Sequence, residues 1–196
     1  MKKGTVTLLV ILAVVVILFL WIKGSYNSMV REDEGVKTAW GQVENVYQRR
    51  ADLIPNLVNT VKGYAAHESS TLEAVVEARA KATQITIDPQ NLSPEAIAKY
   101  QRAQGELGAA LGKLMMIQEN YPDLKANQNF LELRSQLEGT ENRISVERNK
   151  FNEAAKVYNT LIRQFPKNIF AALFGFSQKP YFEAQKGSEV APKVQF

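Results

Sequence analysis

Residues 36–64, VKTAWGQVENVYQRRADLIPNLVNTVKGY, decide how this chain is read. Large apolar groups fall at Val36, Trp40, Val43, Tyr47, Ile54, Leu57, Val61 and Tyr64. With Arg50 counted among them, the steps alternate four and three without a break. That spacing is the seam of a helix packed lengthwise along another helix. Pro55 lies inside the pattern, in LIPNLV. It lacks one backbone donor and crowds the preceding turn, so it predicts a kink rather than a stop. The helix is expected to end between Gly63 and His67.

Upstream, residues 5–22 read TVTLLVILAVVVILFLWI. As a helix this run is about 27 Å long, just enough to cross a bilayer core. Trp21 stands at its end, where an interfacial aromatic belongs, and Lys23 follows. Lys2 and Lys3 before the run also suit a cleaved signal, but Ile22 and Gly24 make a poor cleavage pair, so residues 1–23 are read as a transmembrane anchor. The signal-like start places the bulk of the chain outside the cytoplasm, on the periplasmic or extracellular side, although Lys23, Arg31 and Lys37 pull the other way.

Downstream, Ser70 and Glu73 have capping-box spacing, and Leu72, Val75, Val76 and Arg79 share a face of the helix they open. QITIDPQNL (84–92) reads as a loop, and Ser93-Pro94 as the start of a third helix. The seam of that helix is Ile97, Tyr100, Gln104, Leu107, Leu111 and Leu114, beside a wall of small residues that includes Gly105, Gly108 and Gly112. After the break at Asn120-Tyr121-Pro122-Asp123, a last helix runs from Leu124 to Phe165. Its seam positions are Phe130, Leu133, Leu137, Thr140, Ile144, Glu147, Phe151, Ala154, Tyr158, Leu161 and Phe165. Long helices, short breaks and no strand pattern predict an all-α, antiparallel up-down helical bundle over 24–166 behind the transmembrane helix. Summing helical rises returns Phe165 to within roughly 8 Å of the height where the spine leaves the membrane. The aromatic tail, 167–196, with Phe170, Phe174 and Phe176, is therefore expected at the foot of the spine. There it either packs back as extra core or meets the membrane surface or a second copy.

The chain has 24 Lys and Arg against 20 Asp and Glu, a net charge of +4, with the two signs interspersed. That pattern argues against nucleic acid as a partner. There is no cysteine and one histidine, which excludes disulfides, thiolate metal sites and any site needing two imidazoles in one chain. His67-Glu68 is not HExxH, because position 71 is Thr, and no phosphate loop, dinucleotide fingerprint or nucleophile elbow occurs. The residues point to no enzyme, no cofactor and no metal.

Two blocks carry a resemblance. They are TAWGQVENVYQRRADLIPNLVNTVKGYAAHE (38–68) and the stretch from NYPDLKAN to KPYFE (120–183), with TENRI and the FP…GF…YFE ending. Together they resemble the LemA family of bacterial membrane proteins over nearly everything after Tyr26. Phe151-Asn152 stands where that family usually has Tyr-Asn. The resemblance implies an N-terminal transmembrane helix and a helical bundle, and supplies no reaction. Its usual neighbours, membrane proteases and TPM-domain proteins, hint at partners among envelope proteins.

Arg50 is the most informative single residue, since a guanidinium in an apolar seam must find an acceptor or reach water. Gln104, Thr140 and Glu147 occupy seam positions that could meet it, either fixing helix register or forming a polar site. Arg49, Asp52, Asn56, Glu141 and Arg143 make a second candidate group, with Arg49 and Asp52 spaced to pair locally. The expected role is a membrane-anchored scaffold or adaptor of the cell envelope. It would contact the lipid bilayer, other envelope proteins and further copies of itself. The alternative is a sensor that binds a small molecule or peptide between its helices, which a polar cavity at Arg50 would favour.

Overall fold

The computed structural model describes residues 3–183; the expectations about Lys2 and about residues 184–196 of the tail lie outside that range. The described residues are helical, with no strand among them. The first helix, α1 (Lys3–Tyr64), is 62 residues long, about 93 Å, and runs from the apolar span into the spine without interruption. It is the one described helix long and apolar enough to cross a membrane, and its most apolar stretch is wholly exposed. α2 (Ser69–Gln84) turns back along it, and α3 (Pro94–Met116) packs on α2. A 3₁₀ turn (Ile117–Asn120) and the short α4 (Pro122–Lys125) reverse the chain at the far end. α5 (Gln128–Arg163) then descends along α1 over most of its length, and α6 (Lys167–Phe174) packs against the feet of both.

The seam read from the sequence is the core. Val36, Trp40, Val43, Tyr47, Ile54, Leu57 and Val61 are all buried, as are all six seam residues of α3. Tyr64 is exposed, because α1 ends there; its hydroxyl accepts a hydrogen bond from Asn127 Nδ2 at 2.8 Å. The last helix departs from expectation in two ways. Its first turns are cut by a break at Ala126-Asn127, where the Asn127 side chain caps α5 by accepting from the Phe130 amide at 2.9 Å. Near its end the seam also shifts by one residue. Ala155, Asn159 and Ile162 are buried while Phe165, beyond α5, is 82% exposed. A straight helix drifts about 20° per heptad against a strict seven-residue repeat, so a seam fixed at Phe130 slips over four heptads. The capping box at Ser70 and Glu73 is not used: α2 starts after Glu68 and carries no side-chain cap.

The loop before α3 is built as its residues dictate. Asp88 accepts from the Gln90 amide at 2.9 Å and from Asn91 Nδ2 at 2.7 Å. Ser93 caps α3 through the Ala96 amide at 3.1 Å, with Pro94 at the first helical position.

Pro55 does not break α1. Its missing N–H orphans the Ala51 carbonyl one turn back, and Arg79 of α2 donates Nε to that oxygen at 2.8 Å. A proline in one helix is thus matched by an arginine in the next. Arg79→Met should destabilise the protein by about 1–2 kcal/mol in chemical denaturation. In a Pro55→Ala background, where the restored amide takes the carbonyl back, the same substitution should cost clearly less. Equal costs in the two backgrounds would show that the contact is incidental.

Candidate functional site

The core is divided in two. The lower cluster ends at Tyr47, Tyr100 and Ile144, and the upper one begins at Ile54, Ala103 and Leu137. Between them lies a polar layer of Arg50, Gln104 and Thr140, all buried, with Arg50 only 3% exposed. Arg50 Nη1 donates to Glu141 Oε1, while Nη2 donates to both the side-chain oxygen (2.6 Å) and the carbonyl (3.0 Å) of Gln104. The guanidinium also lies 5.1 Å from the centre of the Tyr47 ring. Its Nε is buried without a partner. Burial raises the Tyr47 and Tyr100 hydroxyls above their ordinary range, although Arg148 and Arg50 work against this at Tyr47. Both phenols therefore stay neutral at physiological pH.

This layer opens to solvent. α3 is held by α2 and α5 by α1, but α3 and α5 do not pack closely on each other. A groove of about 820 Å³ separates them at the level of Arg50. Gly105, Gly108 and Gly112 form one wall; Leu137, Glu141, Ile144 and Arg148 form the other. A methyl group added at Gly108 would lie 3.9 Å from Arg50 Nη1, and at Gly112 it would meet nothing. Packing therefore does not demand Gly108 or Gly112, which lower the wall at a cost in helix propensity.

The other candidates go elsewhere. Thr140 shares the polar layer but bonds back to the Gln136 carbonyl at 2.7 Å, as a helical threonine can, and does not reach Arg50. Glu147 pairs with Lys150 at 2.8 Å, because six residues of α5 carry it about 9 Å along the helix from Glu141, off the Arg50 level. The second candidate group does not assemble: Glu141 belongs to Arg50, while Arg49, Asp52 and Asn56 share an exposed face of α1 and Arg143 is exposed on α5. Asp52 accepts from Gln48 Nε2 at 2.7 Å instead of pairing with Arg49. Among the described residues no three His, Asp or Glu side chains gather to hold a metal ion.

A second constellation, at the foot, escaped the sequence reading. Asn159 and Asn152 on α5 each exchange two hydrogen bonds with the tail backbone. Asn159 does so with the amide and carbonyl of Lys179, both at 2.8 Å, and Asn152 with those of Phe182 at 2.8 and 3.0 Å. Seven helical residues rise about 10.5 Å, and three extended residues span about 10 Å, so the two ladders match. Phe182 then stacks on Trp40 and meets Phe151 edge-on. Lys179 Nζ reaches Asp33 of α1 at 2.8 Å. Burial works to raise the Asp33 carboxyl, but hydrogen bonds from Lys179 and Lys37 outweigh it and hold the group below its ordinary value. The seven-residue spacing of the two asparagines was the available signal. Lower still, Phe170 meets Trp21 at 5.3 Å, and Phe174 and Phe176 meet Tyr26 at 5.1 and 5.7 Å.

A model described as the LemA family matches residues 39–196. The chain is 27% identical over 181 residues to Magnetosome protein MamQ 2 of Paramagnetospirillum magneticum, covering 84% of this chain and 66% of that protein. It therefore spans just under two thirds of that relative's length. It is also 24% identical over 185 residues to Protein LemA of Metamycoplasma hominis, covering 94% of this chain and 80% of the other.

Gly108→Ala and Gly112→Ala should each stabilise the protein by about 1 kcal/mol, since helix propensity rises and nothing clashes; a destabilisation in thermal unfolding would reveal a packing role. The Asp33 pair sets a pH window. A carboxyl depressed by folding contributes fully above its ordinary value and loses that contribution as pH falls through the folded one. The Tm gap between the wild type and Asp33→Asn should be steady from pH 7 to about 5 and close below about pH 4.

Proposed function

Because the chain belongs to the LemA family, whose model matches it from residue 39 onward, we propose that it is a membrane-anchored helical adaptor of the bacterial cell envelope that binds a helix of a partner protein in the groove between α3 and α5. The observation that carries this reading is the opening at Arg50, where a filled seam would have suited a passive scaffold. The volume lies within the range of about 300–1,000 Å³ usual for binding clefts. Its glycine wall lets a helix backbone approach closely, as small residues do wherever helices pack tightly. Its apolar surface comes from the exposed Met116 beside the edges of the buried Leu111, Leu137 and Ile144. The ionic groups at its edge are already engaged within the chain: Arg134 with Glu138 and Gln118, and Arg148 with the Glu183 carbonyl. An amphipathic helix with its apolar face inward suits these walls better than a highly charged ligand.

The partner is expected among envelope proteins, including membrane proteases and TPM-domain proteins, or in a second copy of this chain. The exposed apolar helix supports anchorage in a membrane; the inner membrane and an outward-facing bundle are our reading from the family and from Lys2 and Lys3 before the apolar run. A second reading, a sensor of a small molecule or short peptide, draws on the same polar opening at Arg50, which favours it as well, and on the buried, unpartnered Arg50 Nε beside it. No arrangement of described residues recommends a chemical reaction, and the reading is of a non-enzyme.

The test is photo-crosslinking in native membranes from Ser145 or Ala109 on the groove, compared with Thr71 on α2. Defined adducts from the groove positions alone are expected. They should be lost in Gly112→Leu, which fills the opening, and weakened in Arg50→Leu while thermal stability is kept. Equal labelling from Thr71, or adducts indifferent to Gly112→Leu, would leave the groove without a role.

A further inference from the structure

α6 carries an apolar face that the bundle does not use. Ala171 is buried and Phe170 half-buried towards α1, whereas Ile169 and Leu173, one turn apart, are 55% and 74% exposed; Phe165, just before the helix, is more exposed still. Residues one turn apart share a face, so this is a continuous stripe about one helix-width broad. Its height is known. Phe170 packs on Trp21, the last aromatic of the apolar run, and Phe174 on Tyr26, just beyond it. The stripe therefore lies level with the end of the span, at the boundary between hydrocarbon and water if α1 crosses the bilayer.

The charges at this level have one sign. No Asp or Glu occurs before Glu32 or between Ala154 and Phe182, while Lys23, Arg163 and Lys167 all lie there. Lys179 is taken by Asp33. An exposed apolar face with cations about it, at the level of an interfacial tryptophan, is the composition of a helix lying in the surface of an anionic membrane.

We propose that α6 is a second membrane contact. Its Ile169–Leu173 face, with Phe165 just before the helix, lies in the headgroup–acyl boundary of the bilayer that α1 crosses, and Lys23, Arg163 and Lys167 face anionic headgroups. The anchor is then a span plus a collar, and the collar limits tilting and rotation of the mast above it. This rests on the transmembrane reading of α1 in the preceding subsection, and the experiment separates the two.

The full chain has no cysteine, so single-cysteine variants can be spin-labelled without background. Leu12→Cys in the span, Ile169→Cys and Leu173→Cys on α6, and Val146→Cys on α5 all replace exposed side chains. Each is reconstituted in vesicles of neutral lipid with and without phosphatidylglycerol. Collisions with oxygen, which enters the bilayer, are compared with those of a water-soluble nickel chelate. Oxygen should dominate at Leu12, and at Ile169 and Leu173 to an intermediate degree that increases with anionic lipid, while the nickel complex dominates at Val146. If Leu12 lies in the bilayer and both α6 labels behave like Val146, the collar is overturned and the span stands. If both reagents are excluded from the α6 labels, a second copy covers that face and the lipid contact is overturned. If Leu12 itself is aqueous, the span fails and the collar with it.

Discussion

Everything in this protein hangs on the unbroken seam of α1. One helix of 62 residues is both the apolar span and the spine, so no hinge separates the anchor from the bundle. α5 runs antiparallel along the spine, and α2, α3 and α6 find their places on that pair. The stability of such a long helix comes from burial of one face along its length, because isolated helical propensity in water is modest. The lower cluster, with Trp40, Phe151 and Tyr158 as its largest members, supplies that burial near the foot, and the upper one, with Leu57, Leu114 and Phe130, near the far end.

The seam is perfect in period and imperfect in chemistry, and the two facts are connected. Arg50 keeps the alternation of three and four but cannot be buried without acceptors, so a polar layer forms around it and parts the core. Where the layer reaches solvent, α3 and α5 stand apart and the groove begins. A buried ion pair is weak evidence of stability and better evidence that a particular register is being chosen. Here only one guanidinium edge reaches a carboxylate, and Glu141 is half exposed. The proline–arginine match at Ala51 and the asparagine ladders at the foot work in the same manner. Each satisfies a backbone group that its neighbourhood would otherwise leave unpaired.

Placing the groove midway up the bundle and the aromatic collar at its base divides the molecule by height. The lower cluster, clamped by the tail, ties the spine to its anchor. Above it, the polar layer opens onto a groove whose α3 wall includes Gly105, Gly108 and Gly112. A continuous helix of this kind fixes the groove at a set distance from the end of the apolar run.

Period and composition in the sequence were enough for the fold. The alternation from Val36 to Val61 named the buried face of α1, the same rule named every seam residue of α3, and the apolar run named the described helix long and apolar enough to cross a membrane, because helical geometry converts spacing directly into direction. Arg50 stood out for the same reason. What spacing could not decide was which polar group faces which. Glu141, Thr140 and Glu147 lie within two turns of one helix, and small rotations, accumulated over the length of α5, choose among them. The groove was equally hidden, since it is the space left where two helices do not touch, and absence of contact has no period. The tail clamp depended on matching a helical rise to an extended backbone, a coincidence of lengths that exists only once both segments are laid side by side.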